Sequence, residues 1–439
     1  MSGHEKPRGL FRKLVDNSFL LIVGALAALV WANMAHQSGS HSYHDFVHFD
    51  VTSLWSGGSD HHQVDATLVS SAGEDSDVEQ VAQHGFSLHF IVNDILMALF
   101  FAIAAKEVWE SLLPGGSLHE PRKAATPLLA TVGGILGPAG VFMLGAYFTG
   151  TTIDLGNGWA VPCATDIAFS YLVARIVFGA GHPAIAFLLL LAIADDAAGL
   201  MILALFYPQA PIVPQWLCLT LVAMCGAMLL RRQKVHSHWA YLLGPGAICW
   251  FSFYQANIHP ALGLVPIIPL LPHAHTDLGI FAREELDRHD TLSEFEHCWK
   301  LPVECFLGLF GLINAGVVMS SLGTGTWLVL AGLFIGKPLG ITGMTYFAEK
   351  GLKLEKPAGM DYRHVVTLGA VAAIGFTVAL FVSVAAFTVP GPIQDSVKMG
   401  ALLSFAAAPI AIVMGRALGI VPVQPAADIE STEASTAAA

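Results

Sequence analysis

The sequence is cut into apolar blocks of about 17–25 residues, the length a helix needs to cross the hydrocarbon of a bilayer. They fall at roughly 18–36, 86–113, 125–148, 158–178, 183–207, 213–230, 239–255, 258–273, 302–319, 326–347, 365–388 and 399–418. Twelve such blocks predict an all-α polytopic membrane protein with about twelve transmembrane helices. The composition agrees. Of 439 residues, 54% are hydrophobic and 12% charged, where a soluble domain is about one quarter charged. A net charge of −12 argues against a nucleic-acid partner and leaves the lipid bilayer as the first one. The six cysteines stand singly, with no CxxC pair, and read as free thiols.

Positive residues stay on the cytoplasmic side of a membrane. Alternating the blocks from a cytoplasmic N-terminus puts nineteen of the 21 Lys and Arg on that side. Lys398 alone lies opposite, and Lys337 falls inside a block. The same alternation places both termini in the cytoplasm. Residues 1–17 are then a cytoplasmic segment, 18–418 the twelve-helix domain, and 419–439 a small, polar, disordered tail. The first block is longer and more apolar than a cleaved signal and no A-x-A site follows it, so it reads as a retained span. The external loop 37–85 has no Lys or Arg, eight acidic residues and many histidines. Within it, Asp45 to Trp55 alternates like a short β-ribbon.

An ionisable group at mid-membrane costs several kcal/mol and is a functional candidate by default. Asp166, Asp195, Asp196 and Lys337 lie at such depths. Asp195 and Asp196 are adjacent, so on a helix they point about 100° apart. One is expected to face a water-filled cavity and the other a neighbouring helix. Two such acids repel unless a cation or protons intervene, which is the chemistry of a site that holds either. Pro162 ahead of Asp166 predicts an interrupted helix, with Thr165 bonding the freed backbone. A second interruption is expected at Ala373-Ile374-Gly375-Phe376-Thr377. Paired breaks of this kind point to a midplane site. Lys337 precedes Pro338, a position that disfavours helical geometry, and needs a carboxylate partner in Asp195 or Asp196.

These residues resemble a known family. Ala164-Thr165-Asp166-Ile167-Ala168-Phe169, Ala194-Asp195-Asp196, Gly336-Lys337-Pro338-Leu339-Gly340-Ile341 and Gly375-Phe376-Thr377 occur in the order found in the NhaA family of sodium/proton antiporters. The resemblance spans about residues 10–418 and implies an inverted-repeat transporter fold with two interrupted crossing helices. It implies Asp196 as principal cation ligand and Asp195 as the acid paired with Lys337. Thr165 and Asp166 would then mark the helix crossing. It further implies export of Na⁺ and Li⁺ against protons, a bacterial inner-membrane location, and a homodimer joined through the external loop 37–85. No cofactor or enzymatic step is implied, because the ions are cargo.

At the position of the family's pH-responsive entrance, Glu-Val-Lys-Arg-Glu is replaced here by Glu107-Val108-Trp109-Glu110-Ser111, preceded by Lys106. A second element keeps Glu296-His297 but has Lys300 where another His would fall. Glu107, Glu110, Glu296 and His297 are therefore the candidates for a pH response. The resemblance places the paired acids with the electrogenic members of the family, and two titrating carboxylates would let two protons exchange for one Na⁺. The alternative is a sodium-coupled organic-anion symporter, which would need a second polar pocket. An intramembrane aspartyl protease would need facing acids and a GxGD motif, and none occurs.

Overall fold

The computed structural model describes residues 19–54, 86–114, 116, 118, 121–273, 290–354, 356, 357 and 359–423. The segment 1–17, residues 55–85 of the external loop and residues 424–439 of the tail lie outside the described residues.

Seven helices are long and apolar enough to cross a membrane. They are α1 (Phe19–Ser38), α3 (Leu88–Leu112), α4 (Ala124–Thr149, with helix from Pro121), α7 (Pro183–Phe206), α8 (Pro214–Arg232), α12 (Thr324–Gly351) and α15 (Pro392–Ala417). Two further crossings are bent pairs: α5 (Thr152–Cys163) with α6 (Ile167–Phe178), and α13 (Tyr362–Ala372) with α14 (Phe376–Ala386). With each pair taken as one span the count is nine among the described residues. The other three blocks take different forms. Residues 238–255 form α9, broken by a wide turn at Leu242–Gly246 around Pro245. Pro260–Leu270 is short (α10), and α11 (Thr291–Asn314) is a helix with Pro302 inside it whose apolar residues gather in its C-terminal part.

Helix α7 shows why these sequences fold as they do. His182 caps it and Pro183 opens it, using a position whose N–H has no helical partner. Apart from Asp195 and Asp196 it is apolar all round, the pattern of a helix buried among others or in lipid. Leu188 and Leu191 are sealed in the core, whereas Met201 and Leu205 face outward at more than 60% exposure. Small residues set the closest approaches. On α4, Gly133 and Gly137 lie against Gly340 and Gly336 of α12, so that a Cβ on any of them would overlap the facing backbone. Gly24 of α1 meets Gly308 of α11 in the same way. Close backbone contact between small residues is the usual means of packing helices in lipid, where no hydrophobic effect drives them together.

The β-ribbon expected at 45–55 does not form in the part described. Ser42–Val47 is a helix (α2) and Val51–Leu54 a tight turn, with a single bridge from Asp50 to Ser87. Its alternation serves packing against helix ends instead. Tyr43 and Phe46 lie on Trp31, and the Tyr43 hydroxyl donates to the Leu312 and Ile313 carbonyls at 2.9 and 2.8 Å. The start of the tail is also ordered: Val423 N–H donates to the Phe178 carbonyl at 2.8 Å.

Candidate functional site

Helix α5 ends at Cys163 and α6 begins at Ile167 with a bend of 54°; α13 and α14 break at 373–375 with a bend of 51°. The breaks touch. Asp166 N–H donates to the Ile374 carbonyl at 2.7 Å, and a Cβ on Gly375 would lie 2.6 Å from the Ala164 carbonyl oxygen. Only glycine admits that approach. Each broken end leaves backbone groups without helical partners and a partial charge at mid-membrane.

Asp166 and Lys337 meet those ends. One Asp166 oxygen accepts the Phe169 N–H at the start of α6, at 3.3 Å. The other accepts the Thr377 N–H at 3.3 Å and the Thr377 hydroxyl, at the start of α14. A single carboxylate thus answers two helix N-termini. Lys337 Nζ donates to the Cys163 carbonyl at 2.5 Å, at the C-terminus of α5. It also lies 3.2 Å from Asp195 Oδ2. Thr165 Oγ1 donates to the same Asp195 oxygen at 2.8 Å, so Thr165 serves the carboxylate and not the freed backbone.

Lys337 itself is helical, with φ −69° and ψ −50°, although proline follows. The irregularity expected there appears one turn earlier, where Gly332–Gly336 widens into a π-helical turn. That widening accommodates the backbone donor Pro338 lacks.

Asp195 and Asp196 both line one small cavity of about 20 Å³. This differs from the expected division between cavity and neighbouring helix. The cavity wall includes Thr165's neighbours Cys163 and Ala164, and the Asp195 side chain reaches along it to Lys337 while bordering the space. Asp196 makes no hydrogen bond or ion pair with any described residue. Apart from these acids and the Cys163 thiol, the lining is apolar, with Ile135, Ile202, Val378 and Val382.

The pH-response candidates divide. Lys106 Nζ lies 2.5 Å from Glu110 and 2.5 Å from Glu296, and Lys300 stands 3.6 Å from the second Glu296 oxygen. Burial raises the Glu296 carboxyl, but the Lys106 and Lys300 ammoniums outweigh it and hold it below the ordinary 4.5. Glu107 and His297 are exposed and stand outside this cluster's bonds. Sequence reasoning gave Lys106 no role, yet it is the centre of the cluster.

Asp94, an ionisable residue that the sequence places nearer a span end than mid-membrane, is 8% exposed in a π-helical turn of α3. Gln209 donates to it at 3.4 Å and His259 Nδ1 lies 3.7 Å away. Its neighbour Asn93 exchanges amide hydrogen bonds with Asn314 of α11 at 3.2 and 2.9 Å. The adjacent Asn93-Asp94 in an apolar block was the available signal.

Two broken helices that cross at mid-membrane, with charges on their ends and acids on a cavity, define a multi-pass membrane transporter. The family model for Na⁺/H⁺ antiporter 1 matches residues 9–417. A Na(+)/H(+) antiporter NhaA of Jannaschia sp. (strain CCS1) is 50% identical over 422 residues, 91% of this chain and 95% of that protein. Proteins of the same description from Desulfitobacterium hafniense (strain DSM 10664 / DCB-2) and Geobacter sulfurreducens are 47% and 45% identical, each over 93% of this chain. They are covered over 95% and 97% of their own lengths. The chain belongs to the Na⁺/H⁺ antiporter 1 family, whose members are transporters and not enzymes.

Proposed function

We propose that the protein exports Na⁺ and Li⁺ across a bacterial inner membrane in electrogenic exchange for protons, with both termini in the cytoplasm. One observation carries the reading: Lys337 and Thr165 engage Asp195, while Asp196, next to it on the same cavity, makes no hydrogen bond or ion pair with any described residue. A carboxylate left unpartnered in a largely apolar cavity is neutralised by a proton or by a cation, and the two compete. Na⁺ binds Asp196 with backbone carbonyls and water completing its oxygen shell. Asp195 supplies the second titrating group, and two protons return for each Na⁺. Asp166 and Thr165 hold the crossing in register, and the ion pairs of Lys106 with Glu110 and Glu296 tie α3 to α11, with Glu107 and His297 beside them as pH-response candidates outside those pairs.

The lining offers no second set of convergent polar groups for an organic anion. We include a homodimer in the proposal, checked by the mass of the detergent-solubilised protein. Transport is tested in inside-out vesicles from a host lacking its own antiporters. Na⁺ and Li⁺ dissipate a preformed ΔpH and K⁺ does not, and the rate rises with an imposed membrane potential. Dissipation that ignores the potential would replace electrogenic exchange with an electroneutral one.

A further inference from the structure

Two helix ends meet on a pair of histidines that the cation site does not use. His182 caps α7, the helix that carries Asp195 and Asp196, and its Nδ1 accepts the Ala184 N–H at 3.0 Å. His364 lies in the first turn of α13, which leads to the break at 373–375, and its Nδ1 accepts the Asp361 N–H at 2.9 Å. The two rings have centroids 4.7 Å apart. Phe178, at the end of α6, stacks on His182 at 5.5 Å and lies 6.2 Å from His364. His182 is 8% exposed.

A ring nitrogen that accepts a backbone N–H carries no proton. Both rings are therefore bonded in their neutral form. A proton on either Nδ1 sets donor against donor and cancels that bond. Protons on both add like charges 4.7 Å apart, beside helix N-termini that are already positive.

The surrounding charges do little to offset this. Arg363 of α13 points to the Asp361 carboxylate at 3.2 Å and the Leu418 carbonyl at 3.3 Å. Arg175 of α6 turns over the Tyr171 ring. Arg416 is the charged residue of the last turn of α15. Asp361, the one acid among these groups, is engaged by Arg363.

We propose that His182 and His364 are positioning residues that hold α7 against α13 only while both rings are neutral, so that acid on that face loosens the helix bearing Asp196 and slows exchange. This rests on the antiport reading for its effect on transport, though not for the histidine contact itself. Burial, and after it the neighbouring His364, push the His182 ring below its ordinary 6.5. A group with a depressed folded value contributes stability above its unfolded value and loses it as pH falls. The contact is thus intact at neutral and alkaline pH and fails on the acid side, the direction the geometry requires.

The test uses a variant carrying both His182→Asn and His364→Asn. Asparagine at 182 still caps α7, and neither asparagine titrates in this range. In inside-out vesicles its Na⁺-driven ΔpH dissipation is below the wild type's at about pH 8.5, because the ring contact is gone, but the ratio of its rate near pH 6 to its rate at pH 8.5 exceeds the wild-type ratio roughly threefold. His182→Ala, which has no cap, is slow at every pH. An acid limb in the double variant that coincides with the wild type overturns the proposal. Amide hydrogen exchange of 183–187 and 361–365 in the purified protein, corrected for intrinsic rates, gives a readout independent of transport. Wild-type protection there falls below about pH 6; protection that stays constant with pH also overturns the proposal. If the wild type shows no Na⁺-driven exchange at any pH, the antiport reading fails and the amides still decide on the histidines.

Discussion

Lys337 and Asp195 meet at 3.2 Å with their side chains 0% and 3% exposed. Breaking a buried pair by removing one partner costs about 3–5 kcal/mol, because the other charge is left uncompensated. Lys337 also answers the Cys163 carbonyl. Lys337→Met is therefore expected to lower thermal stability in detergent markedly, and adding Asp195→Asn to restore much of it. A Lys337→Met protein as stable as wild type would mean that the pair does not hold the crossing.

Asp196 is expected to matter for transport and little for stability, since it bonds to no described residue. Asp196→Asn keeps one oxygen and loses the charge. The group at which Na⁺ and protons compete is then gone, so Na⁺-driven exchange is lost while the melting temperature is nearly unchanged. Isothermal titration with Li⁺ at alkaline pH reads the binding directly.

The crossing depends on Thr377 as well as Asp166. Thr377→Val removes the hydroxyl donor to the Asp166 carboxylate and leaves only the backbone N–H of that residue. The expected cost is about 1–3 kcal/mol, and Thr377→Ser avoids it. Equal denaturation midpoints for the valine and serine variants would contradict this account.

Glycines on α4 and α12 offer a comparison with internal controls. Gly133→Val pushes a side chain into the α12 backbone and costs about 1–3 kcal/mol or more. Gly140→Ala and Gly343→Ala, where an added Cβ meets nothing within 4 Å, leave stability unchanged. Thermal unfolding of the three purified variants makes the comparison.

Glu296 supplies a pH prediction. Its folded value is held below 4.5, so the stability from its pairing with Lys106 is present above about pH 4.5 and lost as pH falls below it. Glu296 stays charged from pH 6 to 9 and does not itself titrate there. Glu296→Gln is accordingly expected to cost about 1 kcal/mol or less, the side chain being 28% exposed, without removing the acid limb of transport. Loss of that limb in Glu296→Gln would assign the sensing to Glu296 after all.

Block length made nine of the twelve expected spans legible among the described residues, and charges at mid-block picked out Asp166, Asp195, Asp196 and Lys337. Both breaks were readable from Pro162 and from the Ile374-Gly375 step. What escaped was set by partners far along the chain. No local pattern shows that Thr165 reaches Asp195, or that Lys106 gathers Glu110 and Glu296, a residue 190 positions away. The alternation at 45–55 misled for a related reason. Residues spaced two apart also suit a short helix and turn laid over helix ends, and Tyr43 finds its acceptors on α11.

The glycine seam between α4 and α12 has a mechanical meaning. At Gly133–Gly340 and Gly137–Gly336 backbone is pressed on backbone, and the Ile341 and Met344 side chains of α12 pack in beside these points. The two helices form a single beam, and Lys337 is mounted on it. A conformational cycle that parts Lys337 from Asp195 must therefore swing α7 against that beam, so a cross-link between α4 and α12 leaves turnover running while one between α7 and α12 stalls it.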